Sequence, residues 1–271
     1  MTTALITIPA PTRTASWAAT ALTFAAGTTR KLLRTPQVFG IAVVQSVVFL
    51  LMFRYVIGGA IGVKGVSYVD FLVPGFVVSG ILFTGGGSAV AVAEDAASGI
   101  YDRMRSLPIP DSAVLAGRAM ADAALMVVVA FVTLVVGFVI GFRPDTTLPE
   151  VLLAVVVLVA AALAFSIVFI LIGLGSGSAQ AAQGLGILAV PFSFISSAFV
   201  PIASMPGPVQ AFAKAQPLTF MVDAWRGLLL GDAATRFFEH DLSYYVIGSL
   251  VWAAVIALVF TPLAMRAYRK G

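Results

Sequence analysis

The chain has no cysteine, no asparagine and a single histidine among its 271 residues. Without cysteine there are no disulfides, no thiol nucleophiles and no thiolate-held metals. Without asparagine there is no N-glycosylation acceptor. The lone His240 removes zinc sites and proton relays that need several imidazoles. Charge is scarce as well. Asp, Glu, Lys and Arg make up 10% of the residues, against about 25% in soluble domains. Hydrophobic side chains reach 60%, and the mean hydropathy is +1.05. So large an apolar excess cannot hide in a core of this length, which excludes a soluble globular protein and predicts a membrane protein. The formal net charge of +4 and pI near 9.6 suit basic cytoplasmic loops, not nucleic-acid binding. Abundant Ala, Val and Gly without Asn or Cys suits a GC-rich bacterial genome.

The gaps between charges set the architecture. Residues 35–53, 71–93, 123–142, 151–213 and 242–265 carry no Asp, Glu, Lys or Arg. A spanning helix needs about 20 mostly apolar residues. The fourth gap holds two such segments, separated by the small, neutral turn Gly173-Leu174-Gly175-Ser176-Gly177-Ser178-Ala179-Gln180. Six spans are therefore expected, near 36–57, 70–92, 119–142, 150–172, 184–203 and 244–265. Open strands would leave backbone groups unpaired in lipid, so the spans are helices. The fold expected is an all-α integral membrane protein with six transmembrane helices.

Six spans place both termini on one side. That side collects Arg13, Arg30, Lys31, Arg34, Arg103, Arg105, Arg118, Arg266, Arg269 and Lys270. The other side holds Arg54, Lys64, Arg143, Lys214, Arg226 and Arg236, three of them in one long loop. The excess of positive charge assigns both termini to the cytoplasm of a bacterial cytoplasmic membrane. The start of the chain is not a signal peptide, because Pro9, Pro11 and Arg13 interrupt any apolar run. From Ser16 to Arg34 the pattern is amphipathic. Trp17, Ala21, Phe24 and Ala25 share a helical face, and Arg30, Lys31 and Arg34 follow, which reads as a helix lying in the membrane interface or, more blandly, as a partly ordered tail. Residues 1–34 thus divide as a cytoplasmic tail and interfacial helix, and 35–271 as the transmembrane domain. Thr35-Pro36 resembles an N-cap followed by proline at the first helical position.

The most charge-dense stretch runs from Glu94 to Pro110, between spans two and three. Acids precede bases along it, which suits the dipole of one short helix from about Glu94 to Ser106. Asp102 and Arg105 can pair at i,i+3. Pro108 and Pro110 stop the helix, and Asp111 or Ser112 can cap the next. The stretch reads either as a solvated hairpin with balanced charges or as a stiff, charged handle for a cytosolic partner.

At this point the chain resembles a known family. The acidic pair Glu94-Asp95 with Gly99, Arg103 and Leu107-Pro108 is similar to the signature of type-2 ABC exporter permeases, the daunorubicin-resistance-like subunits that export drugs, lipids or polysaccharides. Arg30-Lys31-Leu32-Leu33-Arg34-Thr35-Pro36 resembles the family's approach to span one. Gln216-Pro217-Leu218-Thr219 through Arg226-Gly227-Leu228 to Gly231 resembles its C-terminal signature, although Gln216 stands where the family more often has Asn. The resemblance implies a cytoplasmic coupling helix seated in an ATPase, with Glu94, Asp95, Gly99, Asp102, Arg103, Arg105 and Pro108 as contact residues. It implies that the interfacial helix, with Arg30, Lys31 and Arg34, touches the same ATPase. It also implies an external re-entrant segment between spans five and six, and this region, with Pro201, Pro217, Trp225 and Arg226, reads either as an external gate or as a surface loop resting on lipid. The partners implied are a second permease copy or paralogue and separate P-loop ATPase subunits. Those subunits, not this chain, would hold ATP and Mg.

The residues test one part of this. A P-loop needs Gly before its Lys, whereas Lys31, Lys64, Lys214 and Lys270 follow Arg30, Val63, Ala213 and Arg269. No ATP-hydrolysing motif is present, and the chain is expected to be a transport subunit, not an enzyme. A gradient-driven carrier is the main rival, but Asp70, Asp122 and Arg54 fall near span ends, where snorkelling to the interface is expected. A non-transporting membrane scaffold is the third reading.

The polar residues inside the spans are neutral: Gln45, Ser46, Ser79, Thr84, Ser88, Thr133, Ser166, Ser193, Ser196 and Ser197. They read either as helix–helix hydrogen-bonding groups or as the lining of a path for an amphipathic cargo. Gly85-Gly86-Gly87, Gly137 with Gly141, and Gly58 with Gly62 suit close helix packing. Pro74, Pro191 and Pro201 should kink or break their helices. After the turn at Met205-Pro206-Gly207-Pro208, Val209, Phe212, Ala213 and Gln216 fall at helical spacing, and Trp225 beside Arg226 reads as an interfacial anchor.

Overall fold

The computed structural model describes residues 16–34, 36–58 and 67–270, and within them the regular structure is helical throughout. The N-terminal tail to residue 15, Thr35 of the expected cap and Gly62 of one small-residue pair lie outside the described residues. Helix α1 (Trp17–Arg34) is the amphipathic segment. Its Ala21 face is buried on the start of the third long apolar segment, where Gly117 lets the α1 backbone come close. The Trp17 indole donates to Ser112 Oγ at 3.0 Å. Helix α2 (Pro36–Met52) is apolar and runs into a wider π-turn over Phe53–Ile57.

Helix α3 (Tyr68–Ala97) is the centre of the bundle. Ser67 caps it by accepting from the Asp70 amide. Pro74 sits inside α3 without ending it. The short α4 (Ile100–Arg105) follows Gly99, whose φ of +72° turns the chain out of α3. The single helix expected over 94–106 is therefore two pieces, with Glu94 and Asp95 in the last turn of α3. The left-handed backbone at Gly99 is the physical reason, since a right-handed helix cannot pass through it.

Helices α5 (Asp111–Val139) and α6 (Leu148–Gly175) form an antiparallel pair against α3. Pro110 occupies the α5 cap position, so neither Asp111 nor Ser112 serves as the cap. Thr147 and Glu150 form a reciprocal capping box at the start of α6. The next segment departs from expectation. In place of one spanning helix over 184–203 there are α7 (Ala179–Gly186) and α8 (Ala189–Phe194), followed by an irregular stretch over 195–201. Pro191 removes one backbone donor, and the helix is lost at Ile195. Helix α9 (Gly207–Ala215) leads into α10 (Pro217–Leu230), which lies against α3 and α6, and α11 (Leu242–Lys270) closes the bundle on α6 and α10.

Among the described residues four helices, α3, α5, α6 and α11, are long and apolar enough to cross a membrane; a shorter apolar stretch runs over Val43–Val56. Their outer faces expose Val44, Val48, Phe131, Leu152, Val156, Ile247 and Leu258. So much exposed apolar surface belongs to a chain solvated by lipid. Inside, Phe199 from the irregular stretch is wholly buried, its ring centroid 4.9 Å from Phe76, 5.2 Å from Phe53 and 4.8 Å from Phe194. Gly86 of α3 and Gly186 of α7 meet backbone to backbone, which the absence of two Cβ atoms allows.

Candidate functional site

Two polar constellations sit in this apolar bundle, one at each end of α3. The first surrounds the 98–110 connection. Asp95, 7% exposed, accepts Lys31 Nζ from α1 on one carboxylate oxygen and Arg118 Nη1 from α5 on the other, each at 2.5 Å. Arg118 Nε reaches Asp122 at 2.9 Å, one turn further along α5. Arg118 and Asp122 are 2% and 1% exposed, so Asp122 does not snorkel to an interface; it lies inside the bundle, held by its arginine. A buried carboxylate needs a partner of this kind, because desolvation without one is prohibitive.

Outside this buried pair the connection is solvent-facing. Glu94, Asp102, Arg103 and Pro108 are exposed, as are Arg30, Lys31 and Arg34 in the last turns of α1. Asp102 pairs with Arg105, and Arg105 also donates to the Tyr268 carbonyl in the last turn of α11. Tyr101 is buried beneath α4 with its ring edge-on to Tyr268, centroids 5.6 Å apart. Burial pushes its hydroxyl well above the usual tyrosine range, so it stays protonated. Arg269 reaches Asp111 at 3.1 Å. The first helix, the last helix and the 98–110 connection thus converge on one end. Between α1 and α4 lies an apolar groove of about 490 Å³, bordered by Thr23, Phe24, Gly27, Ile100, Met104 and Leu107.

The second constellation lies at the opposite end, on α10. Gln216, Thr219, Asp223 and Arg226 are spaced i, i+3, i+7 and i+10, which places them on one helical face. All four are buried. That face supplies what the irregular 195–201 backbone lacks. Gln216 Nε2 donates to the Ile195 carbonyl, and Arg226 Nη2 donates to the Ser197 carbonyl at 2.8 Å. The Ser197 amide points at Thr219 Oγ1 at 3.4 Å. Irregular backbone at membrane depth is tolerated only when protein satisfies it in this way. Arg226 also donates to the Phe71 carbonyl at 3.1 Å, holds Asp223 at 2.7 Å, and stacks 4.0 Å from the Phe71 ring centroid. Pro74 removes a backbone donor from the same turn of α3. A cavity of about 380 Å³ opens beside the clamp, bordered by Pro201, Lys214, Asp223, His240 and Tyr244.

Pro201, Pro217, Trp225 and Arg226, the residues expected between spans five and six, all fall at this end. Pro217 opens α10, and Pro201 closes the irregular stretch. Trp225 is not an interfacial anchor. It is 3% exposed, and its indole donates to the Ala154 carbonyl of α6 at 2.8 Å. Arg226, wholly buried, is not an interfacial residue either. Arg118, Asp122, Gln216, Thr219 and Asp223 received no site role from sequence. Their signal was the i,i+4 spacing of Arg118 and Asp122 and the single face on α10. Of the neutral polar residues, Ser46 and Thr133 join α2 to α5 at 2.8 Å, whereas Ser166 and Ser193 bond carbonyls of their own helices.

Known proteins place these features in context. The chain is 30% identical over 229 residues to the daunorubicin resistance ABC transporter permease protein DrrB1 of Streptomyces coeruleorubidus, covering 84% of this chain and 78% of that protein. It is 27% identical over 236 residues to the probable doxorubicin resistance ABC transporter permease protein DrrC of Mycobacterium tuberculosis, covering 85% and 81% respectively. The pattern of the ABC-2 type transporter family matches residues 21–230, from the first turns of α1 to the end of α10, and the chain belongs to that family of membrane permeases.

Proposed function

We propose that this chain is the membrane subunit of an ATP-driven exporter. It carries an amphipathic drug, lipid or glycan-type cargo outward across a bacterial cytoplasmic membrane. A second permease copy or paralogue completes the path, and separate P-loop ATPase subunits, which bind the ATP and Mg, supply the work. The observation that carries this reading is the 98–110 connection: an exposed charged rim of Glu94, Asp102 and Arg103 on a base fixed to α1, α5 and α11. A handle must be stiff to transmit force, and this one is tied at three places. Family membership supports the same reading. Its orientation, with this end in the cytoplasm, rests on the excess of Lys and Arg there.

The rival, a gradient-driven carrier, needs an acid free to load and unload protons. Among the described residues, the buried carboxylates Asp95, Asp122 and Asp223 each sit on an arginine. That favours the ATP-driven reading.

The test is a search of the neighbouring genes for a P-loop ATPase and co-expression with it, followed by reconstitution into vesicles with doxorubicin as the fluorescent probe. The expected result is co-purification and ATP-dependent transport. Glu94→Lys with Arg103→Glu should lower coupled ATP hydrolysis and transport by about tenfold, the size of a mismatched interface charge. Transport by the chain alone without nucleotide, or full export by the double variant, overturns the proposal.

A further inference from the structure

We propose that the Asp95–Arg118–Asp122 cluster is the joint through which movement of α4 reaches α5, with Lys31 bringing α1 into the same joint. The inference rests on the ATP-driven reading above and deepens it, by naming residues, Asp95, Arg118 and Asp122 buried among them, that transmit the motion.

The topology makes the case. Asp95 is the last buried polar residue of α3 before the left-handed turn at Gly99, and Arg118 lies two turns into α5. Force on the 98–110 connection that passes into α3 and α5 therefore runs through these two residues, one on each side of the arm. Their contact closes the arm at its base. Ser98 adds a hydrogen bond to the Asp95 carbonyl at 2.9 Å, which fixes the turn to the same point. Tyr101, on α4 itself, is buried and close enough to feel the charges of Arg118, Asp95 and Asp122. It meets Tyr268 on its other side, so the last turn of α11 follows α4 as well.

The chemistry of the cluster suits a joint better than a staple. The planar guanidinium of Arg118 holds two carboxylates in fixed directions, one on α3 and one on its own helix. Tilting α3 against α5 must break one bond or carry the other along. Two acids and two bases meet here, so the group is formally neutral. As a source of stability alone it would be a poor choice, because apolar packing of the same volume does as well or better. Charged groups buried in a membrane-spanning helix instead mark a functional place.

The test uses the complete complex with its ATPase, whose own cysteines are replaced. The permease has no cysteine. Spin labels at Val139→Cys on α5 and Leu258→Cys on α11, both on exposed positions, therefore meet no competing thiol of the permease, and one labelled copy is diluted with unlabelled permease so that a single distance is read. Their separation is measured without nucleotide and after trapping with ATP and vanadate. In wild type a nucleotide-dependent shift is expected. The triple variant Asp95→Asn, Arg118→Met, Asp122→Asn removes the charges together and leaves none of the three unpaired. It should still bind the ATPase but lose most of the shift, and ATP hydrolysed per doxorubicin exported should rise by about tenfold, in the range typical of coupling between sites. Lys31→Met should give a smaller loss of the same kind. A folded triple variant that keeps the full shift and the wild-type ratio overturns the joint. If the triple variant does not fold, Lys31→Met decides, and unchanged coupling in it overturns the joint. A wild-type complex without any shift overturns the ATP-driven reading itself, and the joint with it.

Discussion

Arg226 shows how much one side chain can hold when lipid surrounds the protein. Its guanidinium serves the Phe71 and Ser197 carbonyls, neutralises Asp223 and covers the Phe71 ring. Arg226→Met should therefore cost about 3–5 kcal/mol, the penalty for breaking a buried pair and leaving one charge behind. Thermal unfolding in detergent, followed by intrinsic fluorescence, measures it. Adding Asp223→Asn should restore a large part of the loss, because it removes the orphaned charge. If the double variant is no more stable than the single one, Asp223 is not what Arg226 neutralises. Trp225→Phe removes one hydrogen bond and keeps the ring, so about 0.5–1.5 kcal/mol should be lost in the same assay. A side chain resting in the interface would show no such loss. Lys31, whose side chain is 57% exposed, should contribute under about 1 kcal/mol to stability. Any effect of Lys31→Met on transport is then a matter of coupling and not of folding.

At the level of elements, the two positions that decide the shape are glycines. Gly99 adopts φ +72°, which other residues take only at a cost of about 1–2 kcal/mol. Gly99→Val should swing α4 away from Tyr268 and weaken capture of the ATPase in a pull-down, with little effect on membrane insertion. Retained capture would show that the α4 direction is unimportant. Gly75 lies where α3 passes the backbone at Ala198, and a Cβ there would meet the Ala198 carbonyl. Gly75→Leu should push α3 off the irregular stretch and lower stability by about 1–3 kcal/mol in the unfolding assay, as overpacking does. The long helices were legible from gaps in charge, since few segments could survive in lipid otherwise. The break after α8 was not. Pro191 warned of it, but nothing local to 195–201 says that a face of α10, some twenty residues on, replaces the missing hydrogen bonds.

For the molecule as a whole, α1, the 98–110 connection and the end of α11 share one end, and the α10 clamp lies at the other. In a cysteine-free chain this arrangement can be tested by labelling intact cells. Ser98→Cys and Lys270→Cys should be protected from a membrane-impermeant maleimide, and Ser204→Cys should react. The opposite pattern would invert the proposed orientation and remove the ATPase from the 98–110 connection. Composition alone settled that this is a membrane protein, and the charge-free runs settled where most of its helices lie, because burying an apolar face or excluding a charge from lipid is a property of each segment by itself. The pairing of charges was decided elsewhere. Asp95 meets Arg118 across a turn, Lys31 reaches Asp95 from another helix, and Arg226 finds carbonyls of Phe71 and Ser197 far along the chain. Periodicity reports the face a residue occupies but not what stands opposite it, so only the packed helices show Trp225, which reads as an interfacial anchor, bonded to α6, and Arg226 beside it in the buried clamp.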